Sequence, residues 1–348
     1  MVCDDSAVIR GAVVRMLETD PAIRVVARPG IGRAAVEELA RTPVDVLVLD
    51  IEMPVLDGIS ALPLLLKADP QLRIIMASTL TTRGADIALR ALRLGAADYV
   101  PKPSAIDLKG DDAFRRELIE KVKGLARLRR RTTAPATPGS GGTTPPVRLK
   151  PAGGLPARLL AIGSSTGGPQ ALFTLVQGLG ASLPVPVVLT QHMPRTFTPI
   201  LADHISKLGG LPCAEAEQGE PLRAGRIYLA PGDRHLLVAR SATGLQAQLS
   251  DDPPENFCRP SVDPMLRSAA AACDGRVLVT MLTGMGHDGL AGTRRVVEAG
   301  GSAVAQDEGT SVVWGMPGAI AQAGLCQAVL PLPDIAPKLR ALLTGGRA

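Results

Sequence analysis

Three polar residues in the second half of the chain could together perform nucleophilic catalysis. Ser165 lies in a GSSTGG segment, His192 follows the apolar run at residues 185–191, and Asp288 follows the run at residues 276–282. A glycine turn between a strand and a helix exposes a serine hydroxyl at the end of a sheet. Because the carboxyl ends of parallel strands share one edge, we expect the three side chains to converge. Ser165 would be the nucleophile, His192 the general base, and Asp288 the residue that orients the imidazole.

Each of these residues also has a simpler explanation. The GSSTGG turn could instead cap a helix or bind phosphate through its amides. Asp288 begins an Asp-Gly pair, which is common in turns, and the neighbouring His287 is a rival base. In the chain order of α/β-hydrolases, His287 would need an earlier aspartate such as Asp263 or Asp274. Neither of these follows an apolar run, so we favour the first arrangement.

Polar residues also follow apolar runs in the first half of the chain. They are three aspartates, a serine and a lysine: Asp4, Asp5, Asp50, Ser78 and Lys102. Three carboxylates at one sheet edge would repel each other unless a cation lay between them, and all-oxygen ligation suits Mg²⁺. Together, Mg²⁺, a lysine and a hydroxyl would neutralise a phosphoryl group. Taken singly, each aspartate could equally be a helix cap or a turn residue.

Apolar runs and helical patterns alternate along the chain. Strands are expected in the first half at residues 24–27, 44–50, 73–78 and 97–100. Such alternation predicts a doubly wound parallel α/β sheet, and we expect one in each half. The segment at residues 128–156 is rich in Pro, Gly and Thr and predicts a flexible linker. The expected domains are therefore residues 1–127 and 157–345.

The composition favours a globular protein of a reducing compartment. With 348 residues, 46% of them hydrophobic, the chain is long enough for roughly two domains. Its five cysteines form no C-x-x-C pair, no apolar run nears the ~20 residues of a membrane span, and no signal-peptide pattern is present. We therefore expect a cytoplasmic protein without membrane insertion. A net charge of +5 permits nucleic-acid binding, but only 2% of residues are aromatic and no recognition motif occurs, so we expect no nucleic-acid partner.

The second half of the sequence resembles the chemotaxis protein-glutamate methylesterases. The resemblance is carried by GSSTGG (163–168), TQHMP (190–194), APGDRH (230–235), RPSVD (259–263), LTGMGHDG (282–289) and WGMPG (314–318). It implies a Rossmann-like serine hydrolase domain without a cofactor, in which Ser165, His192 and Asp288 form the catalytic triad. It also implies that the backbone amide of Met285 helps to hold the oxyanion and that His287 is a bystander.

The first half resembles a response-regulator receiver domain, which has a flavodoxin-like fold. The matching segments are DDS (4–6), DIEMPVLDG (50–58), Ser78 and YVPKP (99–103). The resemblance makes Asp50 the phosphoacceptor. It places the Mg²⁺ cofactor on Asp4, Asp5 and Asp50. It further implies that Ser78 and Tyr99 are switch residues and that Lys102 pairs with the phosphate.

The apolar segment before Asp4 is shorter than the first strand of a receiver domain. Only residues 1–3 precede Asp4, whereas a strand in a globular domain usually has about five residues. We expect either that translation starts further upstream or that this receiver is unusually weak, because part of a central strand would be missing from its core.

Together the two resemblances imply a phosphorylation-activated serine hydrolase. It would demethylate glutamate methyl esters and deamidate glutamines on methyl-accepting chemotaxis receptors, with a chemotaxis histidine kinase as the phosphodonor. In the unphosphorylated chain, the receiver would restrict access to Ser165. The triad by itself supplies only the reaction class. Two alternatives therefore stay open: a serine esterase with another substrate, and a non-catalytic receiver-linked signalling adaptor.

Overall fold

The computed structural model describes residues 1–102, 112–133, 149–150 and 156–344. The chain divides into two compact units, Met1–Ser140 and Gly141–Ala348. Among the described residues, no helix has both the length and the apolar character needed to cross a membrane.

The first unit is built on a four-stranded, all-parallel sheet of order β1-β2-β3-β4. The strands are β1 (Val2–Cys3), β2 (Val46–Asp50), β3 (Arg73–Ser78) and β4 (Asp98–Pro101). The helices are α1 (Ala7–Leu17), α2 (Gly32–Leu39), α3 (Gly58–Ala68), α4 (Thr82–Arg93) and α5 (Asp112–Thr133). β2 is buried along its whole length, as expected for a strand covered on both faces.

The strand expected at residues 24–27 does not form. The segment lies beside β1, because the Val2 amide donates to the Ala27 carbonyl at 3.1 Å and the Asp4 amide to the Pro29 carbonyl at 3.4 Å. In a parallel ladder the Val2 carbonyl would accept a hydrogen bond from the amide of residue 29. That residue is proline and has no N–H, so the ladder stays one-sided and the prediction of a strand was wrong.

The first strand is as short as the sequence indicates. β1 contains two residues, and the Met1 amino group donates a hydrogen bond to the Val46 carbonyl at 2.9 Å. An open groove of about 480 Å³ lies next to Met1, lined mainly by apolar side chains that include Leu17, Val26, Val46 and Val122.

The second unit is built on a seven-stranded, all-parallel sheet of order β13-β12-β11-β5-β6-β8-β7. Its strands are β5 (Leu159–Ser164), β6 (Val187–Gln191), β7 (Cys213–Glu215), β8 (Ile227–Leu229), β11 (Val277–Met281), β12 (Ser302–Gln306) and β13 (Ala328–Leu330). An antiparallel pair, β9 (His235–Ser241) and β10 (Gly244–Ser250), forms a separate two-stranded sheet. The helices are α6 (Gly168–Leu179), α7 (Thr198–Ser206), α8 (Val262–Ala272), α9 (Leu290–Glu298), α10 (Met316–Gln322) and α11 (Leu332–Leu343).

The register of this sheet brings the three predicted catalytic loops together. β5 lies between β11 and β6, with Gly163 opposite Met281 and Ser164 opposite Gln191. The loops that follow these three strands therefore leave the same edge of the sheet at its centre. Both halves have the expected doubly wound parallel architecture, and this prediction is confirmed.

The boundary between the units differs from the expected linker. Helix α5 continues to Thr133, so the first residues of the segment predicted as a linker, 128–133, are helical. Arg129 in this last part of the helix donates to the Val44 carbonyl at 2.7 Å and pairs with Asp69 at 2.8 Å. Most of the remaining linker, residues 134–148 and 151–155, lies outside the described residues.

A buried ammonium group connects α5 to β4. Lys121 contacts Asp98 at 3.3 Å and Glu117 at 3.0 Å, and it donates to the Tyr99 carbonyl at 2.6 Å. Lys121 and Asp98 are almost completely buried. Burial of a charge is tolerated only when the charge is paired and hydrogen-bonded, so each of these groups depends on the others.

We expect Lys121→Met to destabilise the first unit by about 3–5 kcal/mol, because it leaves the Asp98 carboxylate buried without its cation. The double variant Lys121→Met/Asp98→Asn should recover part of that loss. Urea unfolding followed by far-UV circular dichroism measures the effect, while the fluorescence of Trp314, the single tryptophan, reports the second unit separately. Equal stability of wild type and Lys121→Met would contradict the prediction.

Candidate active site

Ser165 lies at the turn between β5 and α6, as the sequence predicts. The turn passes through Gly167, whose φ of 74° is unfavourable for other residues, before α6 begins. The Ser165 amide donates to the Thr283 carbonyl at 3.0 Å. The loop after β11 passes so close that a Cβ atom on Gly284 would lie 2.9 Å from the Ser165 Cβ. Among the described residues nothing hydrogen-bonds to the Ser165 hydroxyl, which is half-buried and available to a substrate.

His192 and Asp288 form a buried pair beside this turn. The His192 Nε2 lies 2.7 Å from the Asp288 Oδ2. The other ring nitrogen, Nδ1, lies 3.4 Å from the Cys258 sulfur. An aspartate that accepts the Nε2–H fixes the neutral tautomer in which Nδ1 carries the free lone pair. Nδ1 is therefore the nitrogen that can take a proton.

The Asp288 carboxylate is held by a dense set of donors. It accepts hydrogen bonds from the Asn256 side chain, the Ser261 hydroxyl and the amides of Val262, Asp263 and Gly289. The Val262 and Asp263 amides belong to the first turn of α8, where the helix dipole also favours a negative charge. These contacts fix the carboxylate and keep it ionised.

The pKa values of the pair move apart. Burial raises the pKa of Asp288, but the contact with His192 and the hydrogen bonds from Val262 and Ser261 outweigh burial and lower it to about 2. Burial lowers the pKa of His192, but the contacts with Asp288 and Cys258 outweigh burial and raise it above its ordinary range. Because the base must be neutral to accept a proton, activity should rise as the pH rises through the pKa of His192.

We expect Asp288→Asn to lower the pKa of His192 by at least about one unit, because it removes an opposite charge within hydrogen-bond distance. NMR titration of the imidazole signals measures this shift directly, and the chain has only four histidines to assign. The ascending limb of the pH–rate profile should move to lower pH in the same variant. A His192 pKa that stays the same after the substitution would show that Asp288 does not set the basicity of the ring.

Gln191 fastens the serine and histidine loops to each other. Its side-chain amide donates to the carbonyls of Ser165 at 2.9 Å and His192 at 3.0 Å, and it accepts from the Ser164 hydroxyl at 2.7 Å. The backbone adds a further link, because the His192 amide donates to the Ser164 carbonyl at 3.1 Å. The relative position of Ser165 and His192 is thus set by strand register and by one buried glutamine.

The structure separates the two arrangements that the sequence left open. His287 is exposed, and Asp274 forms a surface ion pair with Arg240. Asp263 is buried, but it accepts from the Asn256 side chain at 3.0 Å and the Gly292 amide at 2.6 Å. The geometry therefore favours His192 with Asp288.

Met285 lies in the loop that packs against Ser165. Its side chain is half-buried, and among the described residues its amide donates to no carbonyl. A backbone N–H beside the nucleophile without an internal acceptor is suited to an oxyanion. This role stays a prediction.

Sequence reasoning missed four residues around the triad. They are Gln191, Asn256, Cys258 and Ser261, each of which contacts a triad residue or its loop. Ser261 lies in the RPSVD segment, which the resemblance identified without a role. The contacts of Asn256 and Cys258 depend on a loop conformation that has no periodic signal in the sequence.

The acidic residues of the first unit also converge. One carboxylate oxygen from each of Asp4, Asp5 and Asp50 lies within 4.8 Å of the other two. Lys102 pairs with Asp50 at 2.8 Å and approaches Asp4 at 3.8 Å. Burial raises the pKa of Asp50 to about 6 despite the nearby lysine. One lysine cannot balance three carboxylates, and the buried Asp50 Oδ2 lacks a hydrogen-bond partner among the described residues. The residues therefore fit a divalent cation with oxygen ligands.

The two residues expected to act as switches lie on neighbouring strands, β3 and β4. Ser78 ends β3 and is fully buried, with its hydroxyl donating to the Thr79 carbonyl at 3.1 Å. Tyr99 is in β4 and is also buried, with the Lys121 ammonium 5.1 Å from its ring centre. Their roles as switches stay predictions.

Nearly the whole chain is similar to proteins of one family. The CheB methylesterase family profile matches residues 160–339, and the response regulator receiver domain profile matches residues 1–109. A protein-glutamate methylesterase/protein-glutamine glutaminase of Rhodospirillum centenum is 57% identical over 363 residues, which cover 97% of this chain and 92% of that protein. The chain belongs to the CheB methylesterase family. A protein with the same activity name from Azospirillum brasilense is 54% identical, over 98% of this chain and 91% of that protein.

The fold of the second unit agrees with this membership. The crystal structure of the Thermotoga maritima CheB methylesterase catalytic domain is 38% identical, with a TM-score of 0.52, and covers 54% of this chain and 100% of that chain. This CheB-family chain is thus a methylesterase with a response-regulator receiver domain, and the expected identity is confirmed. Nothing in the comparisons supports the alternative of a non-catalytic adaptor.

Proposed function

We propose that this CheB-family protein removes methyl groups from glutamate esters and ammonia from glutamines on methyl-accepting chemotaxis receptors. The observation that carries the chemistry is the contact between Asp288 and the His192 Nε2, which leaves Nδ1 as a base beside the Ser165 turn. The substrate class follows from the names of the curated relatives, protein-glutamate methylesterase/protein-glutamine glutaminase.

The first half of the reaction forms an acyl-enzyme. The Ser165 hydroxyl attacks the side-chain carbonyl carbon while the His192 Nδ1 takes its proton. Backbone amides, including that of Met285, stabilise the tetrahedral oxyanion, and each such donor is typically worth ~3–4 kcal/mol. The imidazolium returns the proton to the leaving group, which departs as methanol from an ester or as ammonia from an amide.

The second half regenerates the enzyme. His192 takes a proton from a water molecule, the resulting hydroxide attacks the acyl-enzyme, and glutamate is released as Ser165 recovers its proton. Asp288 stays ionised and stabilises the imidazolium in both halves. Its low pKa suits this role, because it does not accept the proton itself.

The first unit controls this activity through phosphorylation of Asp50. Asp4, Asp5 and Asp50 would hold Mg²⁺, which neutralises charge on the transferring phosphoryl group. The Lys102 ammonium, 2.8 Å from Asp50, is placed to pair with the phosphate that forms there. A chemotaxis histidine kinase is the natural phosphodonor for such a receiver.

We expect Asp50→Asn to abolish Mg²⁺-dependent phosphorylation by a small phosphodonor and the rise in esterase activity that follows it. Asp57→Asn is a matched control, because Asp57 caps α3 by accepting from the Ser60 amide, a role that asparagine can also fill. Radiolabel incorporation and ester turnover, each measured with and without Mg²⁺, test both statements. Activation that persists in Asp50→Asn would place the phosphate elsewhere.

The experiment that tests the proposed function is methanol release from methylated receptor membranes. The full-length chain should release methanol, and phosphodonor plus Mg²⁺ should increase the rate. A chain that hydrolyses a small activated ester through Ser165 but releases no methanol from receptor would be a serine esterase with another substrate.

A further inference from the structure

A tight hairpin at Glu255, Asn256, Phe257 and Cys258 borders the catalytic pair. The Glu255 amide donates to the Cys258 carbonyl at 3.1 Å, and the Cys258 amide donates to the Glu255 carbonyl at 3.0 Å. The two central residues are both left-handed, with φ of 53° at Asn256 and 63° at Phe257. These features are typical of a two-residue β-hairpin turn, in which glycine is the favoured second residue.

The hairpin contacts the triad through residues on both sides of its tip. The Asn256 side chain donates to the Asp288 carboxylate at 2.9 Å, and the Cys258 sulfur lies 3.4 Å from the His192 Nδ1. Glu255 is held in turn by two contacts with Arg267, each of 2.6 Å. The position of the tip is therefore fixed relative to the reacting atoms.

Phe257 lies between these two anchors and points into solvent. Its relative exposure is 102%, so it gains nothing from burial within the chain. A phenylalanine with φ of 63° also strains the backbone, because its Cβ crowds the adjacent carbonyl. Neither local conformation nor core packing accounts for phenylalanine at this position, whereas contact with another molecule would.

We propose that Phe257 is a docking residue for the substrate and packs against an apolar side chain of the receptor next to the esterified glutamate that reacts with Ser165. This inference rests on the proposed function. Because the hairpin is fixed to Asp288 and His192, this contact aligns the reacting glutamate with the nucleophile.

The test compares Phe257→Gly and Phe257→Trp with wild type, all full-length and phosphorylated. For Phe257→Gly we expect kcat/KM on methylated receptor to fall at least about ten-fold, chiefly through KM, as for loss of an aromatic anchor. Hydrolysis of a small activated ester should stay within about two-fold, and Tm should be unchanged or higher, because glycine relieves the strain. Phe257→Trp should retain receptor turnover. Leu64→Ala, which shortens an exposed apolar side chain on α3, is the remote control and should behave as wild type.

Three outcomes would overturn the inference. Receptor turnover by Phe257→Gly within two-fold of wild type would show that the side chain is not used. An equal loss of kcat/KM on the small ester would mean that the substitution disturbs the triad and not the binding of the receptor. Faster receptor turnover by the unphosphorylated Phe257→Gly chain would assign the contact to the receiver domain. The wild-type measurement tests the proposed function separately. If the wild-type chain releases no methanol from receptor, the proposed function is refuted, and the inference about Phe257 is refuted with it.

Discussion

Ser165→Ala is expected to lower ester turnover by roughly 10⁴–10⁶-fold while leaving the fold intact, because loss of a triad nucleophile removes the covalent route. The fold should survive, since the Ser165 hydroxyl has no internal hydrogen bond among the described residues that alanine would lose. Steady-state hydrolysis of a small activated ester, with Trp314 fluorescence as a check of folding, measures the effect.

The matched control for this substitution is Cys258→Ala. The Cys258 sulfur lies 3.4 Å from the His192 Nδ1, so the structure contains a second nucleophile next to the same base. We expect Cys258→Ala to retain activity within about ten-fold, because a neighbouring thiol affects the basicity of the imidazole without replacing the serine. Near wild-type activity in Ser165→Ala, with loss in Cys258→Ala, would reverse the assignment.

His192→Ala should produce a defect of similar size, roughly 10⁴-fold or more, because triad residues act as a unit. His287→Ala should stay within a few-fold of wild type, since His287 is exposed and Asp288 contacts the other histidine. Both variants are assayed on the same small ester across the pH range. The prediction fails if His287→Ala is inactive and His192→Ala is active.

The sequence was informative wherever function depends on the end of a strand. Ser165, His192 and Asp288 each follow an apolar run, and parallel strand order makes such ends adjacent. The same reasoning located Asp4, Asp5, Asp50 and Lys102 in the first unit. Strand ends can be predicted because a buried parallel strand has a continuous apolar pattern.

Features that depend on single backbone groups were not predicted. The run at residues 24–27 has the composition of a strand, but Pro29 removes the amide that would complete its ladder. Composition also placed the start of the linker at residue 128, whereas contacts of Arg129 with Val44 and Asp69 accompany a helix that continues to Thr133. In the first case a single proline overrides the strand composition of its neighbours, and in the second case tertiary contacts accompany a helix that composition does not indicate.

The hairpin at Asn256 and Phe257 shows a third limit. Its residues contact Asp288 and His192, which are distant in sequence, and its conformation departs from the residue preferences of such turns. Turn preferences favour glycine at the second central position, so they give no indication that Phe257 adopts this conformation.

Trapping the acyl-enzyme and locating its acyl group would identify the nucleophile. Wild type is mixed with an activated ester, quenched in acid during the burst phase and digested, and the modified peptide is identified by mass spectrometry. We expect acylation at Ser165, with no acylated peptide from Ser165→Ala. Acylation at Cys258, or an acyl group that persists in Ser165→Ala, would show that Ser165 is not the nucleophile.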